Sequence, residues 1–285
     1  MNVFDLHCDT ATELYRRNLP FDNRETHVNA FSVKGHRVTQ CFAVFFNDTK
    51  QNSDAMNVFH AVTEKVFPQL RNGGVTPILT VEGAGALAHD PRWIEKIHAA
   101  GCRMAGLSWN GKNPLATGAV TDDRARLSPL GRSAVRDLTS RGISVDVSHL
   151  SAAATEEILE LTNAPVVASH SNAKAVCDHL RNLSDTVAAE LFRRGGLVGL
   201  NLYPAFLTDR PTATLDDVLR HAEHFLTLGG DAGLALGCDL DGVDRLPDGM
   251  TDFSSLQVLY DRFCSGFGNC IADNIFYRNA ERFFS

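Results

Sequence analysis

Residues 4–10 read FDLHCDT, and Asp5, His7, Cys8 and Asp9 within it carry side chains that bind metal ions or move protons. His7 and Asp9 are two apart, so on an extended strand they share a face. Cys8 between them faces the other way and reads as packing. Other apolar runs close in the same manner: Glu82 follows ILTV, His149 follows VDVS, His170 follows VVAS, and Asp239 stands in GCDLDG. Three imidazoles with the carboxylates of Asp9 and Glu82 form a donor set suited to Zn²⁺. Five protein ligands exceed what one open catalytic zinc takes, and two zinc ions bridged by a carboxylate fit the count better. Glu82 is the expected bridge, because a lone carboxylate ending an apolar strand is costly to bury without a partner or a cation.

Each of these residues alone has an ordinary explanation. A strand-end His is commonly a hydrogen-bonded loop residue, a Glu a solvated face, and Asp239 and Asp241 suit a turn before Gly242. The joint pattern sets them apart, since five apolar runs carry such a residue at one structural level. Ser148 and Ser169 each precede a His and by alternation should point away from it. His221 and His224, three apart on a helix, are expected on a solvent face. His27, His36, His60, His89, His98 and His179 have no ligand-like partner at useful spacing.

The elements that would position these residues are eight short apolar runs, most of them β-rich, at 2–7, 39–46, 75–83, 102–109, 143–149, 164–170, 196–203 and 233–240. Amphipathic segments such as SPLGRSAVRDLTSRG (128–142) and TLDDVLRHAEHFLTLGG (214–230) separate them, the second opening on a capping Thr214. Strands alternating with helices predict parallel pairing, and eight units predict a closed (β/α)₈ TIM barrel spanning 1–285 as one domain. Strand C-termini then face one mouth, where the polar residues converge. No GxGxxG follows a strand, which disfavours an open dinucleotide-binding sheet. The tail at 264–284 reads as an amphipathic closing helix whose phenylalanines pack on the barrel.

Composition narrows the function. The 285 residues are 44% hydrophobic and 21% charged, with a net charge of −7 and no basic run, which argues against nucleic acid. No stretch approaches the roughly 20 apolar residues of a membrane span, and the first residues lack a signal-peptide pattern, so no membrane partner is expected. Seven scattered cysteines without a CxxC pair read as free thiols of a reducing cytoplasm.

These motifs resemble the renal (membrane) dipeptidase family, the M19 metallopeptidases of the amidohydrolase-type barrel. DLHCDT resembles its opening Asp-x-His-x-Asp-Thr, and TVEGA (80–84) its Glu-Gly strand end. LSPLGRSAVRDLTSRGISVDVSHLS (127–151) resembles its segment leading into Asp-x-Ser-His. APVVASHSNAKAVCDHLRN (164–182) resembles its Ser-His-Ser strand with the downstream Arg-Asn, and GCDLDGV (237–243) its Asp-Phe-Asp-Gly loop.

The resemblance implies one zinc on His7, Asp9 and Glu82 and a second on Glu82, His149 and His170. It implies catalytic roles for Asp239, as acid/base, and for Glu82. It places Arg181 at the clamp for a substrate's C-terminal carboxylate and Tyr203 facing the substrate. Alone, Arg181 reads as a surface loop charge and Tyr203 as an amphipathic strand-end residue. Trp109, with Asn110 beside it, stands where the mammalian members have a His thought to polarise the scissile carbonyl. Trp Nε1–H donates a hydrogen bond but carries no charge. The implied function is zinc-dependent hydrolysis of dipeptides, some with a C-terminal D-residue, by a metal-bridging hydroxide. A homodimer is also implied. The alternatives are a metal-dependent hydrolase of N-acyl amino acids, amides or lactones, which Trp109 favours, and a catalytically silent metal-binding barrel. A phosphoesterase opening on His-x-His is disfavoured, because the second ligand here is Asp9.

Overall fold

The computed structural model describes residues 1–48 and 54–285. Eight parallel strands close in chain order: β1 Asn2–Cys8, β2 Arg37–Phe45, β3 Val75–Glu82, β4 Met104–Gly106, β5 Ser144–Asp146, β6 Val167–Ala168, β7 Leu197–Leu200 and β8 Leu234–Leu236. The β1–β8 pair, with Asp5 opposite Leu236, shuts the barrel. Helices lie between the strands, giving the (β/α)₈ architecture that the alternation predicts. Each of the eight apolar runs coincides with one strand, β1 ending one residue past its run and β2 starting two before its own, as expected for strands buried on both faces.

The later strands are shorter than the runs that hold them. β5 has three residues and β6 two. Ser148, His149, Ser169 and His170 therefore lie beyond the ladder, where strict alternation no longer applies. β1 is irregular too. Asp5 pairs with Gln40 but Cys8 with Phe42, so one extra residue of β1 is accommodated between them. Such a bulge re-aims side chains, and His7 sits within it.

Asp5 itself is fully buried and does not face the candidate ligands as a free group. Its Oδ1 accepts from Cys238 N–H at 2.8 Å and its Oδ2 from Gln40 Nε2 at 2.9 Å. Burial raises its pKa, opposed by those two hydrogen bonds. It ties β1 to the end of β8, just before Asp239.

Local chemistry explains the helices. Pro129–Ser140 starts on Ser128, whose hydroxyl accepts from Gly131 N–H at 2.9 Å, with Pro at the first helical position. Leu215–Thr227 starts on the Thr214–Asp217 capping box. His221 corrects the solvent-face expectation. It lies on the same stripe as Val218, Ala222 and Phe225 and is fully buried. Its Nδ1 accepts from Ala173 N–H at 3.1 Å, and its Nε2–H donates to Leu207 O at 3.0 Å. It thus clips the loop after β6 to the loop after β7. His224, by contrast, is half-buried and meets Asp185 at 2.8 Å.

The large apolar cluster lies between strands and helices and includes Cys8. A second joins Phe4, Leu6, Cys41, Met104, Val167, Leu197 and Ala235 to Tyr277, Ala280 and Phe284 of the C-terminal segment. Phe4 and Phe284 stack at 5.3 Å. The closing segment thus covers the end of the barrel opposite the strand C-termini. Among the described residues, no helix is long and apolar enough to cross a membrane.

Candidate metal centre

His7, Asp9, Glu82, His149, His170 and Asp239 converge at the strand C-termini. Their ligand atoms form three groups, His7–Asp9–Glu82, Glu82–His149–His170 and His7–His170–Asp239, each within 4.8 Å. Glu82 stands between two sets of imidazoles. Its Oε2 lies 3.4 Å from His7 Nε2, and its Oε1 lies 2.9 Å from His149 Nε2 and 3.9 Å from His170 Nε2. Asp239 Oδ1 lies 3.7 Å from His7 Nε2.

The backbone that delivers these groups is unusual. His149 (φ 71°) and Asp239 (φ 60°) both occupy the left-handed region, which costs about 1–2 kcal/mol for an L-residue with a Cβ. Such conformations persist where the surroundings over-determine them, and they cluster at functional sites. Asp239 N–H donates to His7 O at 3.1 Å, and Asp9 N–H to Leu240 O at 2.9 Å, lacing the end of the first strand to the loop after the last. Gly242 leaves needed space: a Cβ there would lie 2.3 Å from Asp239 Oδ1 and 2.5 Å from Asp9 Oδ2.

The electrostatics are those of a cavity built around positive charge. Burial would lower the His7 pKa, but Glu82, Asp9 and Asp239 outweigh it and raise it to about 10. Burial would raise Glu82, but His149 and His7 hold it well below the usual carboxylate range. Asp9 is pushed up by burial and by Glu82. Burial, then the charge of Arg181, lowers His149 to about 4; burial and the neighbouring His7 lower His170 as well. His7 Nε2, His170 Nε2 and Asp9 Oδ1 are buried without a hydrogen-bond partner. Buried polar atoms are paired as a rule, and three of the exceptions lie together in this cluster. Imidazoles packed among carboxylates, with orphaned ligand atoms, fit divalent cations, with zinc suited to such a set.

A second ring of polar groups holds the first. Asn110 Oδ1 is 3.0 Å from His149 Nδ1. Ser169 Oγ is 2.7 Å from His170 Nδ1 and 2.6 Å from Asp146 Oδ2, while Asp146 Oδ1 accepts from the amides of Ser148 and Ser169. Ser148 Oγ accepts from His170 N–H at 3.0 Å. Ser169 Oγ thus turns to the imidazole that follows it, contrary to the alternation expectation, because the chain has already left the sheet. Asn201 Nδ2 donates to Asp239 Oδ2 at 3.0 Å. Of these partners, sequence reading singled out only Asn110. Asp146 and Asn201 carried no spacing signal, since the bonds that tie them to Ser169 and Asp239 cross from one strand to another.

A cavity of about 290 Å³ opens over the cluster, lined by Trp109, Asn110, Tyr203 and Phe206 together with Asp9, Glu82, His149 and Asp239. A larger cleft of about 390 Å³ lies at the opposite end of the barrel, around Arg103 and Phe284, and holds none of the candidate ligands. Arg181 is buried, not the surface charge that its local sequence suggests. Its guanidinium lies 5.4 Å from the Phe206 ring, and among the described residues its Nε and Nη2 have no hydrogen-bond partner. Burial lowers its pKa to about 10. Phe206, missed in the sequence, meets Arg181 and lines the cavity, whereas Arg181 itself lines a separate small pocket with Leu180, Asn182 and Leu183.

Comparison with known proteins places this architecture among relatives. Residues 59–284 match the sequence profile of the membrane dipeptidases, peptidase family M19. A protein of Schizosaccharomyces pombe described as an uncharacterized dipeptidase is 36% identical over 198 residues, which cover 68% of this chain and 48% of that protein. The chain thus spans about half the length of that curated relative. Among solved structures, dipeptidase AC, a metallopeptidase of family M19, superposes with a TM-score of 0.90 at 24% identity, over 99% of this chain and 97% of that one. A metallopeptidase from Rhodobacter sphaeroides, bound to a phosphinate mimic of the dipeptide L-Ala-D-Ala, superposes with a TM-score of 0.86 at 23% identity, over 99% and 98%. At these identities the likeness is one of fold.

Proposed function

The chain belongs to the membrane dipeptidase family, peptidase family M19, and from that membership and the site geometry we propose that it is a zinc-dependent dipeptidase with a binuclear centre. The observation that carries the reading is Glu82, whose two oxygens face separate imidazole sets in a buried cluster with unpartnered donor atoms. His7, Asp9 and Glu82 would hold one ion, and Glu82, His149 and His170 the other. When bound, the two ions supply a Lewis acid for the scissile carbonyl and a hydroxide nucleophile at neutral pH.

The chain's own residues do the rest. Asp239, held through Oδ2 by Asn201, keeps Oδ1 toward the cluster, where it takes the nucleophile's proton and passes it to the leaving amine. Arg181 has unpartnered donors in a buried setting, and a substrate's free carboxylate satisfies them bidentately. That restricts substrates to short peptides whose C-terminus lies one residue from the cleaved bond. Tyr203 and Phe206 wall the cavity. Trp109 and Asn110 stand beside the scissile carbonyl. A D-residue at the C-terminal position fits the same clamp, and the Rhodobacter sphaeroides relative's bound L-Ala-D-Ala mimic supports including it. The cysteines, none of them bonded to another, accord with a cytoplasmic setting.

A panel of L,L- and L,D-dipeptides, N-acyl amino acids and lactones tests this reading. Zinc-dependent release of free amino acids from the dipeptides is expected. Turnover confined to acyl-amino acids or lactones, the reading that uncharged Trp109 favours, would replace the dipeptidase assignment.

A further inference from the structure

His149 needs outside help to aim its ring. It lies past the end of β5 and adopts φ 71°, so no sheet ladder fixes it. Among the described residues its Nδ1 pairs only with Asn110 Oδ1, at 3.0 Å, while Nε2 lies 2.9 Å from Glu82 Oε1. A neutral imidazole donates through one nitrogen and accepts or ligates through the other. An amide oxygen only accepts, so Asn110 Oδ1 calls for a proton on Nδ1 and leaves the Nε2 lone pair for a cation.

Asn110 is itself held from behind. Asp48, beyond the end of β2, accepts from Trp109 N–H, and its Oδ1 accepts from Asn113 Nδ2 at 2.8 Å; the Gly111 amide also reaches it. Asn113 Oδ1 in turn accepts from the amides of Leu115 and Ala116 at 2.8 and 3.0 Å. Thr121 Oγ1 donates to Asn110 O at 2.5 Å. Trp109, Gly111 and Asn113, which flank Asn110 in the loop, are thereby pinned to a carboxylate that is not itself a candidate ligand.

We infer that Asn110 is a positioning residue: its side-chain oxygen fixes His149 as the Nδ1–H tautomer and presents Nε2 to the metal pair, and Asp48 holds the loop that carries it. The inference rests on reading His149 as a zinc ligand. It gives Asn110 a task distinct from contact with the substrate carbonyl.

The test uses the full chain labelled with ¹⁵N-histidine and titrated with Zn²⁺. In the wild type, the zinc-loaded His149 ring shows a slowly exchanging Nδ1–H and a metal-shifted Nε2. In Asn110→Ala the Nδ1–H exchanges freely, and chelator competition finds one of the two zinc ions bound about 10–100-fold more weakly, as for other lost outer-sphere partners. Asn110→Asp, which keeps an acceptor, retains the signal and the affinity. Asp48→Asn weakens the same ion by a smaller factor. Wild-type affinity for both ions and an unchanged Nδ1–H signal in Asn110→Ala would overturn the inference while leaving the metal centre standing. Loss of the signal in Asn110→Asp would overturn it too. A wild-type chain that takes up no zinc overturns the metal-centre reading, and this inference with it.

Discussion

Asn201 Nδ2 donates to Asp239 Oδ2 at 3.0 Å, and Asn201 Oδ1 accepts from Tyr203 N–H at 2.6 Å. One amide therefore sets both the proposed proton carrier and the start of the loop that walls the cavity. A hydrogen bond to a charged group contributes roughly 1.5–3 kcal/mol. Asn201→Ala is expected to lower kcat about 10–100-fold while the chain still binds its full zinc complement. Steady-state kinetics beside metal analysis decides it. Unchanged kcat would show that Asp239 needs no such support.

Ser169 lies between Asp146 and His170 and relays the carboxylate's pull to the imidazole. Removing the hydroxyl should loosen His170 without emptying the core. Ser169→Ala is expected to bind zinc about 10–100-fold more weakly and to unfold within a few degrees of the wild type. Asp146→Asn goes further, because Asp146 Oδ1 accepts two backbone amides and the substitution puts an amide donor among groups that donate. Its unfolding temperature should fall clearly below that of Ser169→Ala. Thermal melts of both metal-free variants make the comparison.

Much of this site could be seen in the chain before its fold. The eight apolar runs each coincide with a strand, and the polar residues that end five of them meet at one mouth. Periodicity failed where the ladder stops. Ser148 and Ser169 sit beyond strands of three and two residues, and Ser169 turns toward the His that follows it instead of away. His221 was misplaced for another reason: a buried imidazole with two backbone partners is indistinguishable, in sequence, from one in water. Arg181 was legible only through family likeness, since its burial depends on Phe206, 25 positions on. Asp48, Asp146 and Asn201 reach the site through bonds to other strands and loops, beside the local bonds of Asp146 and Asn201, and no local pattern encodes those distant partners.

Arg181 carries a prediction about stability as well as activity. A buried guanidinium with two unpartnered nitrogens is costly until an anion arrives. Arg181→Met is therefore expected to hold or raise the unfolding temperature of the substrate-free protein, yet to lose dipeptide turnover by several orders of magnitude. Dipeptide amides, which lack the carboxylate, should distinguish wild type from variant far less. A variant that melts well below the wild type would show that Arg181 supports the fold instead.

His221 predicts a pH dependence. Burial lowers its pKa from 6.5 to about 4, so the folded chain keeps it neutral while the unfolded chain takes up a proton below pH 6.5. Stability from this group is full above pH 6.5 and is lost as pH falls from there to about 4. The loss is at most about 3 kcal/mol. Denaturant titrations at pH 7 and pH 5 should show His221→Gln with a smaller acid-induced drop than the wild type. Equal drops would place the proton uptake elsewhere.

The central claim is that the Glu82-centred cluster binds two metal ions and cleaves dipeptides with them. Its most direct test is the rate of amino-acid release from an L,D-dipeptide as Zn²⁺ is added back, in counted equivalents, to chelator-stripped wild type and Glu82→Gln. The account predicts no turnover in stripped protein, full turnover in the wild type at two equivalents per chain, and neither tight uptake of two ions nor turnover in Glu82→Gln. Turnover by the stripped chain, or wild-type metal uptake and rate in Glu82→Gln, would contradict it.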